Sequence, residues 1–156
     1  MKVDKGLLAK CIAVPLLVGG VAAFITGGGM ETFKMLNKPP LSPPGWLFPV
    51  VWTILYTLMG IASYLIIVSE AEQDKITRTI RIYIYQLVVN FLWPTFFFNF
   101  GWYFFSFIWI LLLWVLILIM LRQFYEISKL AGYLILPYFL WVTFAAYLNL
   151  GIWWLN

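Results

Sequence analysis

Long apolar runs separated by short polar stretches dominate this sequence. A helix needs about 20 mostly apolar residues to cross the hydrocarbon core of a bilayer. Five stretches meet that requirement: roughly Leu7 to Thr26, Trp46 to Val68, Ile82 to Phe98, Trp102 to Leu121, and Leu130 to Trp154. A membrane β-barrel would instead show short alternating segments, whereas Leu111 to Met120 is continuously apolar. The predicted fold is an all-α integral membrane protein, a bundle of five transmembrane helices forming one domain over residues 1–156.

The first run invites a second reading. Lys2, Lys5 and Lys10 precede an apolar core, and Val21-Ala22-Ala23 resembles a secretory cleavage site. Its apolar length exceeds the roughly 7–15 residues of a signal core, so a retained helix is expected. Gly19, Ala23 and Gly27 recur at i, i+4, i+8, a small-residue stripe suited to close helix packing within one bundle or against a second copy.

One connection is long. Residues 27–45 contain Gly27-Gly28-Gly29, a helical-looking Met30 to Leu36, and then Lys38-Pro39-Pro40 and Ser42-Pro43-Pro44. Polyproline stiffness suits a defined cap over a bundle better than a flexible linker. Ser69 to Arg81 reads as a charged connection, and Asn99-Phe100-Gly101 as a tight turn.

Composition agrees with the pattern. The 156 residues are 64% hydrophobic and only 10% charged, an excess that a soluble globule of this size could not hide. A nucleic-acid partner is not expected, and the bilayer is the expected surrounding. Charge adds direction. Lys2, Lys5, Lys10, Lys75, Arg78, Arg81, Arg122 and Lys129 fall on the side of the N-terminus, against Lys34 and Lys38 opposite. That asymmetry predicts a cytoplasmic N-terminus in a plasma or inner membrane, with the proline-rich loop outside.

The available chemistry is narrow. With no His and a single Cys11, His-based catalysis, metal sites of the usual kind and an internal disulfide are not expected. The centres of the proposed spans lack Asp, Glu, Lys and Arg, which disfavours ion pumps and proton relays. Amides, hydroxyls and indoles remain. Trp46, Trp102, Trp153 and Trp154 sit at segment ends, where interfacial tryptophans belong. Trp109 and Trp114, on an aliphatic helix, read as packing or lipid contacts.

Trp52, Trp93 and Trp141 have polar company at helical spacing. Trp52 and Tyr56 are i, i+4, Asn90 and Trp93 are i, i+3, and Tyr138 and Trp141 are i, i+3. Trp141, Ala145 and Asn149 form one stripe, in which the small Ala145 leaves room beside the indole for a flat ligand. Periodicity alone does not separate such a pocket from ordinary aromatic packing. Pro94 should kink the third helix by freeing the carbonyl of Asn90, and Pro137 acts likewise on Tyr133.

Several of these residues lie in longer motifs. They are Lys38-Pro39 with Pro43-Pro44, the run from Phe48-Pro49-Val50-Val51-Trp52 through Tyr56 to Gly60, Asn90-Phe91-Leu92-Trp93 with Phe97, and Pro137-Tyr138-Phe139-Leu140-Trp141 through Ala145 to Asn149. Together they resemble the TspO/MBR family of tryptophan-rich sensory proteins and translocator proteins. The resemblance implies a five-helix bundle, commonly a homodimer, with a pocket beneath the first loop that takes porphyrins. It implies that Trp52, Tyr56, Asn90, Trp141 and Ala145 line that pocket, joined on helical spacing by Trp93, Tyr138 and Asn149. No cofactor is required on this reading; the porphyrin is the ligand.

The chain departs from family pattern at Leu41 and at Thr32-Phe33, where relatives carry loop aromatics. Leu150 and Trp154 stand where the sterol motif of animal members needs Tyr and Arg, so no sterol site is expected. Three functions compete. The first is a receptor or carrier for a flat tetrapyrrole. The second is an enzyme degrading porphyrin with light and oxygen, in which Trp52 and Trp141 would be the redox participants. The third is a structural or regulatory membrane partner. The first is preferred.

Overall fold

A computed structural model of the chain describes residues 2–156. The described residues form helices and contain no strand. They are α1 (Lys5–Ile25), α2 (Gly29–Met35), α3 (Leu47–Ile67), α4 (Gln73–Pro94), a π-turn (Thr95–Asn99), α5 (Tyr103–Ile127) and α6 (Lys129–Leu155). The five long helices close a ring: α1 packs on α3, α3 on α6, α6 on α5, α5 on α4, and α4 returns to α1.

Among the described residues α1, α3, α5 and α6 are long and apolar enough to cross a membrane. Helix α4 matches them in length but carries Asp74, Lys75, Arg78 and Arg81 in its first half. Its start differs from the sequence reading, which placed Ser69 to Arg81 in a connection. The reason is local: Gln, Lys and Arg are good helix formers, and Asp74 in the first turn complements the helix dipole. Such a helix continues past its apolar part because water can satisfy those side chains. Helix α5 likewise runs beyond Leu121 to Ile127, and Ser128 alone separates it from α6. The Ser128 hydroxyl caps α6 by accepting from the Ala131 N–H at 3.3 Å.

Pro94 distorts its helix, though by a change of winding. The chain passes there from α to π geometry, and the Phe100 N–H reaches back five residues to the Thr95 carbonyl at 3.1 Å. Pro15 and Pro137 lie inside uninterrupted helices.

The core fills the half of the ring nearer the N-terminus. Met59, Ala62 and Ile66 of α3 meet Ile117, Met120 and Phe124 of α5 and Ile135 and Val142 of α6, all fully buried. The outside is apolar too: Val14, Leu17 and Val21 on α1, Leu111, Leu112 and Val115 on α5, and Leu136 and Leu140 on α6 are exposed. A soluble monomer would not present so wide an apolar surface. Lipid can cover it, because the helices satisfy their backbone groups internally.

Helices α1 and α3 approach through Gly60. A Cβ there would lie 2.4 Å from Ile12 Cα and 2.7 Å from the Cys11 carbonyl oxygen, so the two backbones touch. Gly60→Ala is expected to push α1 outward at a cost of about 1–3 kcal/mol. Cys11 is the single cysteine and is buried at this contact, so its labelling by a maleimide should accelerate roughly tenfold. Gly20→Ala, where a Cβ meets open space, should leave the labelling rate unchanged.

Candidate functional site

Above the core the ring opens into a cavity of about 640 Å³. Its walls come mainly from α1, α3, α4 and α6, with Ile110 and Leu113 of α5 and Phe97 and Phe98 of the π-turn, and α2 lies across its end. Small residues create the space. Gly19, Ala23 and Gly27 all line the cavity. Of the stripe read as a helix-packing face, Gly19 makes a close contact, since a Cβ there would strike the Tyr56 ring at 2.2 Å, while Ala23 and Gly27 border the cavity from exposed positions. Gly28, at φ 45°, takes the left-handed turn that swings the chain from α1 into α2.

The roof is held by side chains. Phe33 of α2, 4% exposed, meets Phe48 edge-on at a centroid distance of 5.1 Å, and Phe48 meets Trp141 at 5.9 Å. Lys38 Nζ sits 5.0 Å from the centre of the Phe33 ring. Beyond α2 the proline-rich segment is tied to the end of α6. The Tyr147 hydroxyl donates to the Pro40 carbonyl at 2.8 Å, and Pro39 packs where a Cβ on Gly151 would lie. Asn156 Oδ1 accepts from the Asn37 N–H at 3.1 Å, while Asn156 Nδ2 donates to the Asn37 carbonyl at 2.8 Å.

Seven of the eight sequence-predicted site residues line this space: Trp52, Tyr56, Asn90, Trp93, Trp141, Ala145 and Asn149. Tyr138 lies beneath it, 1% exposed, as part of the floor's support. The floor is polar. The Tyr56 hydroxyl donates to Asn90 Oδ1 at 2.9 Å, Asn90 Nδ2 donates to Tyr138 Oη at 2.6 Å, and the Tyr138 hydroxyl donates to Gln86 Oε1 at 2.7 Å. To one side, Trp93 Nε1 donates to Asn149 Oδ1 at 3.0 Å, and Asn149 Nδ2 donates to the Tyr103 carbonyl at 2.8 Å.

The tryptophans divide by their partners. Trp109 Nε1 donates to the Val89 carbonyl at 2.7 Å and Trp114 Nε1 to Thr143 Oγ1 at 2.8 Å, which makes both packing residues. Trp46, Trp102, Trp153 and Trp154 are exposed at helix ends. Trp141 differs: its indole N–H is buried with no hydrogen-bond partner among the described residues. An orphan donor in an apolar setting costs free energy until something accepts from it.

Sequence reasoning missed Gln86 and Phe33 at the site, and it named Phe48 and Phe97 only as motif positions and Gly19 only as a packing position. Gln86 stands alone among apolar neighbours in sequence, although its position four residues before Asn90 could have placed it on the same helix face. The phenylalanines carry no polar mark that separates a cavity wall from core.

A ring of apolar helices around an aromatic cavity, floored by amides and phenols, defines an integral membrane protein with an internal cavity. The chain belongs to the TspO/MBR family, whose sequence profile matches residues 11–155. It is 35% identical to the tryptophan-rich protein TspO of Chlorobaculum tepidum over 150 residues, covering 96% of this chain and 95% of that one. It is 34% identical to the protein of the same name from Archaeoglobus fulgidus over 151 residues, 96% of each. With the translocator protein of Homo sapiens it shares 31% identity over 134 residues, 83% of this chain and 78% of that one.

The Asn149 clamp predicts an asymmetry between two substitutions at the site. Asn149→Leu strands the Trp93 N–H, at about 1–3 kcal/mol for a buried donor, and removes a second bond from the Tyr103 carbonyl, which α5 already pairs. Its melting temperature should fall by several degrees, read by Cys11 labelling on heating. Trp141→Phe removes a donor that has no partner, and should shift the melting temperature by less than half as much.

Proposed function

We propose that this membrane protein is a receptor or carrier for a flat, hydrophobic ligand of the porphyrin or tetrapyrrole class, held in the cavity between α1, α3, α4 and α6. The observation that carries the reading is the cavity itself. At about 640 Å³ it falls within the range of about 300–1,000 Å³ usual for small-molecule sites. Trp52 and Trp141 supply broad ring faces, Ala145 and Ala23 leave the room, and charged side chains are confined to its rim at Glu31. Such a lining favours a large conjugated ring over an ion or a sugar. The motif resemblance implies the same ligand class. The side chains on the floor orient a bound molecule better than they transfer protons, which favours binding over catalysis.

On this reading α4 is the fifth span. Its charged first turns lie in the interfacial region, and its buried polar residues face the bundle rather than lipid. The basic residues at the ends of α1, α4, α5 and α6 support a cytoplasmic N-terminus with the α2 cap on the opposite side.

Titrating protoporphyrin into the purified protein while following tryptophan emission tests the proposal. Saturable quenching is expected after inner-filter correction, weakened in Trp141→Phe and abolished in Ala145→Phe, whose ring would occupy the space beside the indole. Emission that declines only in proportion to absorbance would overturn it.

A further inference from the structure

The cavity floor is one directed chain of hydrogen bonds whose far end lies outside the cavity. Tyr56 and Asn90 line the space; Tyr138, Gln86 and Met59 do not. From Tyr56 the protons point to Asn90, from Asn90 to Tyr138, and from Tyr138 to Gln86. The chain ends with Gln86 Nε2 facing Met59 Sδ at 3.8 Å. Gln86 and Met59 are both fully buried.

An amide–phenol chain of this kind has two self-consistent directions. Each phenol owns one proton and each amide presents an oxygen on one side and an NH₂ on the other. If Gln86 turned its NH₂ toward Tyr138, both amides would flip, every bond would reverse, and the Tyr56 proton would be left free. Met59 decides between the two. A thioether sulfur accepts and cannot donate, so it favours the amide nitrogen and disfavours the lone pairs of Oε1. Burial removes the water that could otherwise satisfy the disfavoured arrangement.

We infer that Gln86, oriented by Met59, is a positioning residue that sets the hydrogen-bond polarity of the cavity floor. It holds Tyr56 as an acceptor, so the site favours flat apolar ligands bearing an N–H or O–H donor over isosteres that offer only an acceptor. The inference rests on the cavity being a ligand site, as proposed above. Asn90 keeps one unspent N–H in either direction of the chain, so discrimination falls on Tyr56.

Carbazole and dibenzofuran make the matched pair that tests it: flat tricycles of one outline, the first with a ring N–H and the second with a ring ether oxygen. Calorimetric titration of each into the detergent-solubilised protein, against a micelle blank, should give carbazole about a fivefold advantage, the size of one neutral hydrogen bond. Tyr56→Phe should bring the ratio to about one. Gln86→Leu lets Tyr138 donate to Asn90 instead, which turns Tyr56 into a donor, and the ratio should fall to one or invert. Met59→Leu, which keeps Gln86 and the core volume, should move the ratio the same way by a smaller step. A ratio of one in the unaltered protein overturns the inference, as does a ratio unchanged in both Gln86→Leu and Met59→Leu. If protoporphyrin quenching stands, those outcomes remove this inference alone; loss of that quenching removes the ligand reading itself.

Discussion

The Asn90 amide is the point on which the site depends. It receives a proton from Tyr56 of α3 and gives one to Tyr138 of α6, so one side chain of α4 fastens three helices at one level. In a membrane interior a polar group has no water to fall back on. The three side chains must therefore stay together wherever the surrounding apolar packing would let them drift. Interhelical bonds of this kind contribute only about 1–2 kcal/mol each. Their effect lies in register more than in stability: they fix the depth at which the packed core stops and the cavity starts. The Trp93–Asn149–Tyr103 set does the same between α4, α6 and the start of α5.

Below that level α3, α5 and α6 interlock without space; above it α1 presents glycine and alanine where bulk would have closed the ring. The opening persists because its roof is anchored elsewhere. Phe33 and Phe48 lean on Trp141, and the proline-rich segment is bonded to the last turns of α6 rather than to α1. Stiff PPII-like chain loses little entropy on being held, so few contacts suffice. Leu41 sits exposed on this segment at φ 70°, a backbone conformation that bulky residues rarely adopt. The cap is thus shaped by its anchors on either side of that residue.

Sequence made some of this visible and hid the rest for identifiable reasons. Apolar runs locate α1, α3 and α6 to within a residue or two, because lipid demands unbroken apolar length. They misplace the start of α4, because hydropathy reports where hydrocarbon begins and helix formation does not stop there. Trp52, Tyr56, Asn90 and Trp141 stood out since each is polar or amphipathic at helical spacing. Gln86 and Met59 did not, since a lone amide and a lone thioether show their meaning only once two helices bring them 3.8 Å apart. Gly19 was legible as a close contact, but sequence does not tell a contact with a helix from room left for a ring. Pro94 was legible as a disruption, while its form, a π-turn, depends on how Phe96, Phe97 and Phe98 pack.

Helix α4 brings these points together. Its polar residues Thr79, Tyr83, Gln86 and Asn90 follow one another at i, i+4, i+7 and i+11, a single stripe, and all four are buried. Ile84, Tyr85 and Val88 face outward. This is an amphipathic helix turned inside out, with its apolar face outward and its polar face toward the bundle. Averaged over its length such a helix looks too polar for a membrane. On the proposed reading of α4 as a fifth span the average is the wrong quantity, because lipid would meet only one face. The same inversion helps make the site polar at its floor without charge: α4 supplies the amides of Gln86 and Asn90, which join the phenols of Tyr56 on α3 and Tyr138 on α6. A bundle that sets one inverted helix among four more apolar ones therefore gains a directed polar chain at a single depth.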